Sequence, residues 1–271
     1  MRELYRINNK SISEHRLDDG EIVNSYSELI HKVGTIQNIV PEYMIYYRGQ
    51  NNDCMSDEGT TLLPSIYRKN INGQLKALEL KKRIEILIEA EGKILTYFNK
   101  IIGLNDYNLY IRLKEYKEIR WALIQHYEIV RTPLLDLTYS IDVAATFALL
   151  NNNNKFGYFY LIALPYPNNS ISINVDEKLI NIRLNCCCPP EARKPHYQDG
   201  ILVGTYPFDY NDNDRKREYD LSLRLIKKFR LNNTDEFWDK DFKSIPKSII
   251  YPVNFDNSFE MFLNNIKGFN I

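Results

Sequence analysis

The sequence lacks every short motif by which the common nucleotide and hydrolase sites are recognised. It contains no GxSxG, no GxxxxGK[ST], no HExxH, and no GxGxxG after a strand-like segment. These absences exclude the α/β-hydrolase elbow, the P-loop, the zincin helix and the dinucleotide fingerprint as sources of activity. Any chemistry must therefore come from another arrangement of side chains.

Cysteine, net charge and long apolar runs are also scarce. The four cysteines, Cys54, Cys186, Cys187 and Cys188, form neither the spaced pairs of a disulfide framework nor a CxxC site, so we expect no metal. The 35 basic and 35 acidic residues cancel, which argues against extended binding to nucleic acid or to an anionic membrane. No segment approaches the roughly 18 apolar residues of a membrane span, and the N-terminus has no apolar signal core. We therefore expect a cytoplasmic protein without a membrane partner.

The spacing of apolar residues predicts mostly helices in the first half and strands in the second. Helical spacing occurs at 24–39, 74–102, 109–128 and from Ser140 onwards, and a closing helix is expected at 258–269. Strands are expected at 42–50, 156–165, 170–174 and 201–206, whereas 178–184 fits a helix or a strand. Residues 51–61 and the Asn run at 151–154 are expected as loops, 215–231 as mixed and 244–255 as extended.

No internal repeat and no Gly/Ser linker divides the chain. We therefore predict a single α+β domain spanning 1–271, in which an N-terminal helical region packs on a mixed, mostly antiparallel β core.

The segment 121–150 contains an extended passage between two helices. Thr132 precedes a proline, which disfavours the α region, and the helix that follows begins at Ser140, a good N-cap. The alanines at 144, 145 and 148 allow a neighbouring backbone to come close. Thr138 and Ser140 then fit either structural roles, in a strand and a cap, or the wall of a site.

Four further side chains are candidates, and two of them invite two interpretations. Asp136 stands between leucines and requires a hydrogen-bonding partner. Arg48, at the end of an apolar strand, either packs its stem on tyrosines and reaches water or Asp136, or holds a phosphate or carboxylate beside Gly49. His126, near a helix end, is either a structural residue or a base. Gln198, just before an apolar strand, is placed to project into a cleft.

Four phrases occur in the order found in FRG-domain proteins. They are YRGQ at 47–50, LLPSIYR at 62–68, IQHYEIVRTPLLDLTYSIDVAATFAL at 124–149 and ARKPHYQDGILV at 192–203. The chain resembles that family over about 25–205, which leaves a C-terminal extension at 206–271. It departs from the pattern at Glu128, Pro133 and Leu137, where the family usually has glycine, arginine and tryptophan. Because Pro133 replaces the usual arginine, an anion bound at this position would be held more weakly, or by Arg131 instead.

The resemblance implies a bacterial or phage protein of a kind often found near mobile or defence genes. The order of its polar residues also resembles the NAD-binding layout of ADP-ribosyltransferase-like folds. That layout implies that Arg48 grips the NAD phosphates or ribose, that Thr138 with Ser140 shapes the nicotinamide pocket, and that Gln198 stands where a glutamate is usual. Because an amide stabilises an oxocarbenium-like charge less well than a carboxylate, Glu191 is the nearest acidic substitute.

Three functions fit these observations. The first is an ADP-ribosyltransferase-like or NAD-cleaving enzyme, such as a toxin or an antiviral defence effector. NAD would be its substrate, a protein or nucleic acid its acceptor, and a second protein its regulator. Its candidate catalytic residues are Arg48, His126, Thr138, Ser140 and Gln198. Its candidate substrate-binding residues are Arg48, Gln50, Arg68, Asp136 and Arg193.

The second function is a non-catalytic module that binds a nucleotide or a nucleic-acid end, with Arg48, Arg68, His126 and Arg193 as ligands. The third is hydrolysis of a nucleotide or nucleic acid, with His126 as base and Asp136 as its orienting carboxylate or a metal ligand. The clustered carboxylates are too few for a two-metal site.

Overall fold

The computed structural model describes residues 10–69, 75–101, 107–188, 193–208, 219–251 and 261. In these ranges the helices are α1 (Ile12–Leu17), α2 (Tyr26–Gln37), α3 (Ala77–Ile101), α4 (Tyr107–Glu115), α5 (Lys117–His126), α6 (Ile141–Leu149), α7 (Leu184–Cys187), α8 (Arg193–Tyr197) and α9 (Lys247–Ile250). The strands are β1 (Glu21–Val23), β2 (Met44–Gln50), β3 (Met55–Ser56), β4 (Gly59–Thr60), β5 (Leu135–Thr138), β6 (Phe156–Leu164), β7 (Ile171–Asn174), β8 (Leu179–Arg183), β9 (Gly200–Thr205) and β10 (Leu225–Asn232). The predicted α+β class is confirmed, and strand pairing is mixed and mostly antiparallel.

The described chain divides into two compact units. The first takes the chain up to Leu62, Leu137–Asn168 and Asp220–Tyr251. The second takes Leu63–Asp136 and Asn169–Tyr219. That the whole chain forms one domain stays a prediction.

In the first unit the strands follow the order β1, β10, β6, β2, β5. β10 and β2 both pair with β6 in antiparallel fashion, and β1 pairs with β10 in parallel. Alternating side chains of these strands meet α2 and α6, because successive residues of a strand point to opposite faces. The core formed in this way includes Leu29, Val33, Ile45, Tyr47, Ala144, Ala148, Phe159, Phe229 and Leu231.

α6 lies unusually close to β2 and β6. A Cβ built on Gly49 would stand 1.7 Å from the carbonyl oxygen of Ala144, and one built on Gly157 would stand 2.2 Å from that of Ala148. Glycines on the strands and alanines on the helix thus allow backbone-to-backbone contact. This confirms the expectation that the alanine-rich helix permits a close neighbour.

The Asn-rich loop is held in place by its own amides. Asn152 donates through Nδ2 to two carbonyl oxygens, at 2.9 and 3.0 Å, and its Oδ1 accepts from the backbone of Asn154 at 2.8 Å. Asn154 donates to Oδ1 of Asn52 at 2.9 Å. Asn233 donates to the carbonyls of Asn152 and Asn154, at 2.8 and 2.9 Å. The segment 151–154 is a loop, as predicted, and side-chain amides bond it to neighbouring parts of the chain.

In the second unit β9, β8 and β7 follow one another, and α3, α4 and α5 pack beside them. The helix and strand faces share a core that includes Leu87, Ile94, Leu113, Ile124, Ile180, Ile182 and Leu202. A buried polar cluster joins α3 to α5: Arg120 donates to Glu91 Oε2 at 2.7 and 2.9 Å, and Trp121 Nε1 donates to Glu91 Oε1 at 2.5 Å.

Several predicted elements differ from the structure. The helix predicted at 109–128 is two helices, because Arg120 donates to the carbonyls of Leu113 and Lys114 at the end of α4. Residues 55–60 form a short hairpin inside the predicted loop, and 225–232 form β10 inside the mixed stretch. The ambiguous 178–184 is a strand, and the extended prediction at 244–255 is wrong where α9 lies. The closing helix predicted at 258–269 falls outside the described residues, apart from position 261.

Candidate active site

Arg48 lies near the end of β2 in the first unit, as predicted. Its register partner is Tyr160 of β6, and Gln50 follows two residues later on the same face. Arg48 Nε donates to Gln50 Oε1 at 3.3 Å. The backbone of α6 occupies the space beside Gly49. Gly49 therefore serves helix packing on the side where a Cβ would lie, and the interpretation that it also lets an anion come close stays a prediction.

Gln50 continues a chain of hydrogen bonds into a buried ion pair. Its Nε2 donates to the Tyr160 hydroxyl at 3.0 Å, which donates in turn to Asp53 Oδ1 at 3.0 Å. Lys228 Nζ donates to Asp53 Oδ2 at 2.6 Å and to Thr60 Oγ1 at 2.8 Å. The Lys228 side chain is 1% exposed and that of Asp53 is 8% exposed. Burial, together with the nearby Asp53 carboxylate, raises the pKa of Tyr160. The environment therefore keeps this phenol protonated as a donor.

Thr138 and Ser140 form the turn that starts α6. Thr138 is buried on β5, and its Oγ1 accepts from the backbone N–H of Ser140 at 3.1 Å. Ser140 Oγ accepts from the backbone N–H of Val143 at 3.1 Å, which makes Ser140 the N-cap. Both predicted structural roles are confirmed. A hydroxyl can accept and donate at once, so these roles leave the predicted site roles open.

Replacing Ser140 by alanine should lower the free energy of unfolding by about 1 kcal/mol, because one N–H at the start of α6 loses its acceptor. Urea denaturation measures this loss. Ser25→Ala is the matched control, since Ser25 caps α2 with a comparable bond to Glu28 at 3.2 Å. A Ser140→Ala variant that is as stable as the wild type would contradict the role of Ser140 as the N-cap of α6.

His126 and Asp136 face each other in the second unit. His126 is the last residue of α5 and Asp136 lies on β5. The distance from His126 Nδ1 to Asp136 Oδ1 is 3.6 Å, which is longer than a hydrogen bond but within the range of a charge interaction. Asp136 Oδ2 accepts from Gln125 Nε2 at 2.6 Å. The expectation that Asp136 requires a partner is thus confirmed.

The other nitrogen of His126 is buried without a hydrogen-bond partner. His126 is 7% exposed, and no described residue bonds to its Nε2. The carbonyl of His126 accepts from Lys194 Nζ at 3.5 Å, and Gly200 packs beside the ring, since a Cβ built on it would lie 3.6 Å from His126 Cε1. An unsatisfied buried nitrogen costs about 1–3 kcal/mol, so a donor brought by a bound molecule would be favourable there.

The chain after His126 turns sharply because of Glu128. Glu128 has a φ of 53°, its N–H bonds to Gln125 O at 3.0 Å, and the N–H of Ile129 bonds to Ile124 O at 2.9 Å. These two bonds are the Schellman closure of a helix, in which glycine adopts the left-handed position at the lowest cost. This geometry gives a physical reason for the glycine usual in the family, and it shows that glutamate is accommodated here.

The surroundings of the remaining site candidates say little about their roles. Arg68 is exposed and its Nε donates to the carbonyl of Leu63 at 2.9 Å. Arg193 is exposed at the start of α8, and Gln198 is half-buried just before β9. Glu191 lies outside the described residues. Their predicted roles stay predictions.

The candidates divide between the two units. Arg48, Gln50, Thr138 and Ser140 belong to the first unit. The second unit holds Arg68, His126, Asp136, Arg193 and Gln198. Within the first unit Arg48 and Gln50 are bonded, and so are Thr138 and Ser140; within the second, His126 faces Asp136.

Five polar residues that contact these candidates, directly or through one another, were not predicted. They are Asp53, Gln125, Thr132, Tyr160 and Lys228. Gln125 stands in the Gln-His-Tyr phrase, so its place next to His126 was a usable signal. Thr132 bonds Gln125 seven residues away, whereas Asp53, Tyr160 and Lys228 meet only through long-range folding.

Two observations concern metal ligands and the buried thiols in the described part of the chain. It contains no cluster of three or more His, Cys, Asp or Glu side chains suited to a metal ion. Burial raises the pKa of Cys187 to about 11 and raises that of Cys188 as well, which leaves both thiols protonated and unreactive. None of the helices in the described ranges is long and apolar enough to cross a membrane.

Comparison with known proteins gives one match. The model of the FRG domain family matches residues 43–156. The match includes the phrases that contain Arg48, His126, Asp136, Thr138 and Ser140, but ends before the phrase at 192–203, whose assignment to the family stays a prediction. No curated protein and no solved structure matches the chain. The protein carries an FRG domain at residues 43–156.

Proposed function

We propose that the protein is an enzyme that cleaves a nucleotide, with His126 as general base and Asp136 as the carboxylate that orients its imidazole. The observation that carries this proposal is the buried, unpartnered Nε2 of His126 opposite an Nδ1 that faces Asp136. A carboxylate beside one ring nitrogen favours the proton on that side and leaves the other nitrogen to accept one. The hydroxyl of an attacking nucleophile supplies the missing donor.

NAD is the substrate that we propose first, in line with the ADP-ribosyltransferase-like layout. Water or a hydroxyl of a protein or nucleic acid attacks C1′ of the nicotinamide ribose, and the bond from C1′ to the pyridinium nitrogen breaks. Nicotinamide leaves neutral with the bonding electron pair. The proton of the nucleophile passes to Nε2 of His126. The products are ADP-ribose, free or attached to the acceptor, nicotinamide and one proton.

This proposal keeps the roles that the ADP-ribosyltransferase-like layout implies for Arg48, Thr138, Ser140 and Gln198. A guanidinium suits a diphosphate, hydroxyls suit the nicotinamide amide, and the amide of Gln198 offers a dipole where a carboxylate is usual. The likeness to ADP-ribosyltransferase-like folds belongs to the same proposal, as do the defence role, a macromolecular acceptor and a regulatory protein. His126 supplies the acid–base function that Gln198 lacks.

The test is nicotinamide release from NAD, with and without protein and nucleic-acid acceptors. His126→Ala should reduce kcat by roughly 100-fold or more, which is the usual contribution of a general base. His31→Ala is the matched control, because His31 is exposed on α2 in the first unit. Arg48→Ala should raise KM for NAD, since it removes a phosphate ligand.

Two outcomes would contradict the proposal. Equal release by wild type and His126→Ala would remove His126 from the mechanism. Absence of release from NAD and from other nucleotides, together with salt-sensitive nucleotide binding lost in Arg48→Ala, would instead support a non-catalytic binding module.

A further inference from the structure

Gln125 connects the His126–Asp136 pair to a rigid part of the second unit. It immediately precedes His126 on α5, and both ends of its side-chain amide are used. Its Nε2 donates to Asp136 Oδ2 at 2.6 Å, and its Oε1 accepts from the hydroxyl of Thr132. One side chain therefore spans from the carboxylate of the pair to a threonine in the extended passage.

The orientation of this amide follows from its neighbours. A carboxylate can only accept, so the amide group that faces Asp136 must be the NH₂. The Thr132 hydroxyl already accepts from the backbone N–H of Leu134 at 3.3 Å, and donates its own proton to Gln125 Oε1. Reversing the Gln125 amide would bring its oxygen against the Asp136 carboxylate, where neither oxygen can donate.

Thr132 is itself fixed. Its side chain is fully buried, its backbone N–H donates to Ser65 Oγ at 2.9 Å, and its carbonyl accepts from the N–H of Ile66 at 3.1 Å. Both backbone polar groups of Thr132, its N–H and its C=O, are therefore held by hydrogen bonds. Because Gln125 bonds both to this fixed threonine and to Asp136, it restrains the position of the Asp136 carboxylate.

Asp136 needs such a restraint because its side chain is 40% exposed. Water competes for an exposed carboxylate, and rotation about its side chain would move Oδ1 away from His126. With Oδ2 held by Gln125, Oδ1 stays 3.6 Å from His126 Nδ1. The negative charge there attracts an N–H at Nδ1, whereas an N–H at Nε2 would meet no acceptor among the described residues.

We propose that Gln125 is a positioning residue that, through Asp136, keeps neutral His126 in the tautomer protonated at Nδ1. Its importance for turnover rests on the proposed function, because only the Nδ1–H tautomer presents a lone pair at Nε2 to a nucleophile. The tautomer itself is a property of the resting protein. It is measurable whether or not the protein acts on NAD.

The experiment is ¹⁵N NMR of the histidine rings at about pH 8.5, where free histidine is neutral. The chain has four histidines, and His126→Ala identifies the signals of His126. The wild type should show Nδ1 protonated and Nε2 unprotonated. Gln125→Leu, which removes both amide ends at similar volume, should lose this preference. It should also lower kcat for nicotinamide release about tenfold or more, with KM nearly unchanged.

Thr132 offers a matched pair of variants that leaves Gln125 in place. Thr132→Ser keeps the hydroxyl and should keep the tautomer, whereas Thr132→Val keeps the shape without the hydroxyl and should weaken the preference. A wild-type His126 protonated at Nε2, or a Gln125→Leu variant with the wild-type tautomer, would overturn the inference. A wild type that has the expected tautomer but releases no nicotinamide would overturn the proposed function alone.

Discussion

Gly49→Ala should cost about 3 kcal/mol or more of unfolding free energy, at or above the upper end of overpacking effects. The added Cβ would lie 1.7 Å from the carbonyl oxygen of Ala144 and 2.8 Å from the backbone nitrogen of Ala148. Both are backbone atoms of α6, so no side-chain rotation relieves the contact. The helix must instead move away from β2 and expose part of the core of the first unit.

Urea denaturation of Gly49→Ala measures this effect, with Gly34→Ala and Gly92→Ala as controls. A Cβ at either control position meets nothing within 4 Å, and both glycines lie inside helices. The controls should therefore gain about 0.5–1 kcal/mol, from the lower entropy of the unfolded chain and the higher helix propensity of alanine. A Gly49→Ala midpoint equal to that of the wild type would show that α6 is not held against β2 as described.

Lys228→Met should destabilise the protein by about 3–5 kcal/mol, the usual cost of leaving one member of a buried ion pair without its partner. The methionine fills the space of the lysine stem but leaves the Asp53 carboxylate, 8% exposed, without a counter-charge. Thr60 and Tyr160 still donate hydrogen bonds to that carboxylate, at 3.0 Å each, but neither neutralises it.

The neighbouring residue provides a control for Lys228. Lys227 pairs with Glu21 at 2.6 Å, but these side chains are 21% and 40% exposed. Lys227→Met should therefore cost less than about 1 kcal/mol. In the double variant Asp53→Asn/Lys228→Met most of the lost stability should return, because both charges are gone. Equal costs for the two lysine variants would contradict the buried ion pair.

Elements with local signals were predictable from the sequence. Ser140 caps the helix that it was expected to begin, because an N-cap bonds within its own first turn. β2 and β6 were found from continuous apolar and aromatic runs, since both faces of these strands are largely buried.

Elements that depend on distant partners were not predictable. β10 was missed because two lysines and an arginine interrupt its apolar alternation, and one of those lysines is buried only through Asp53, 175 residues away in the chain. The break at Tyr116 has no proline or glycine. It arises where Arg120 bonds to the last carbonyls of α4 and to Glu91. Neither interaction leaves a trace in local spacing.

The candidate site was partly visible for the same reason. A carboxylate between leucines demands a partner, so Asp136 was noticed, and His126 stands in a phrase typical of the family. Which residue bonds Asp136 depends on where α5 ends and how Glu128 turns the chain. Gln125 was therefore overlooked although it adjoins His126 in the sequence.

The Asn-rich loop shows that identical neighbouring residues can have different structural roles. A run of identical residues suggests a simple surface loop, in which each position would accept any polar replacement. Asn152, however, both donates and accepts, and Asn154 donates to Asn52. An aspartate at either position would lose the donor, and a serine would lose the reach. Individual positions therefore have distinct structural roles inside a segment that composition alone would classify as low in information.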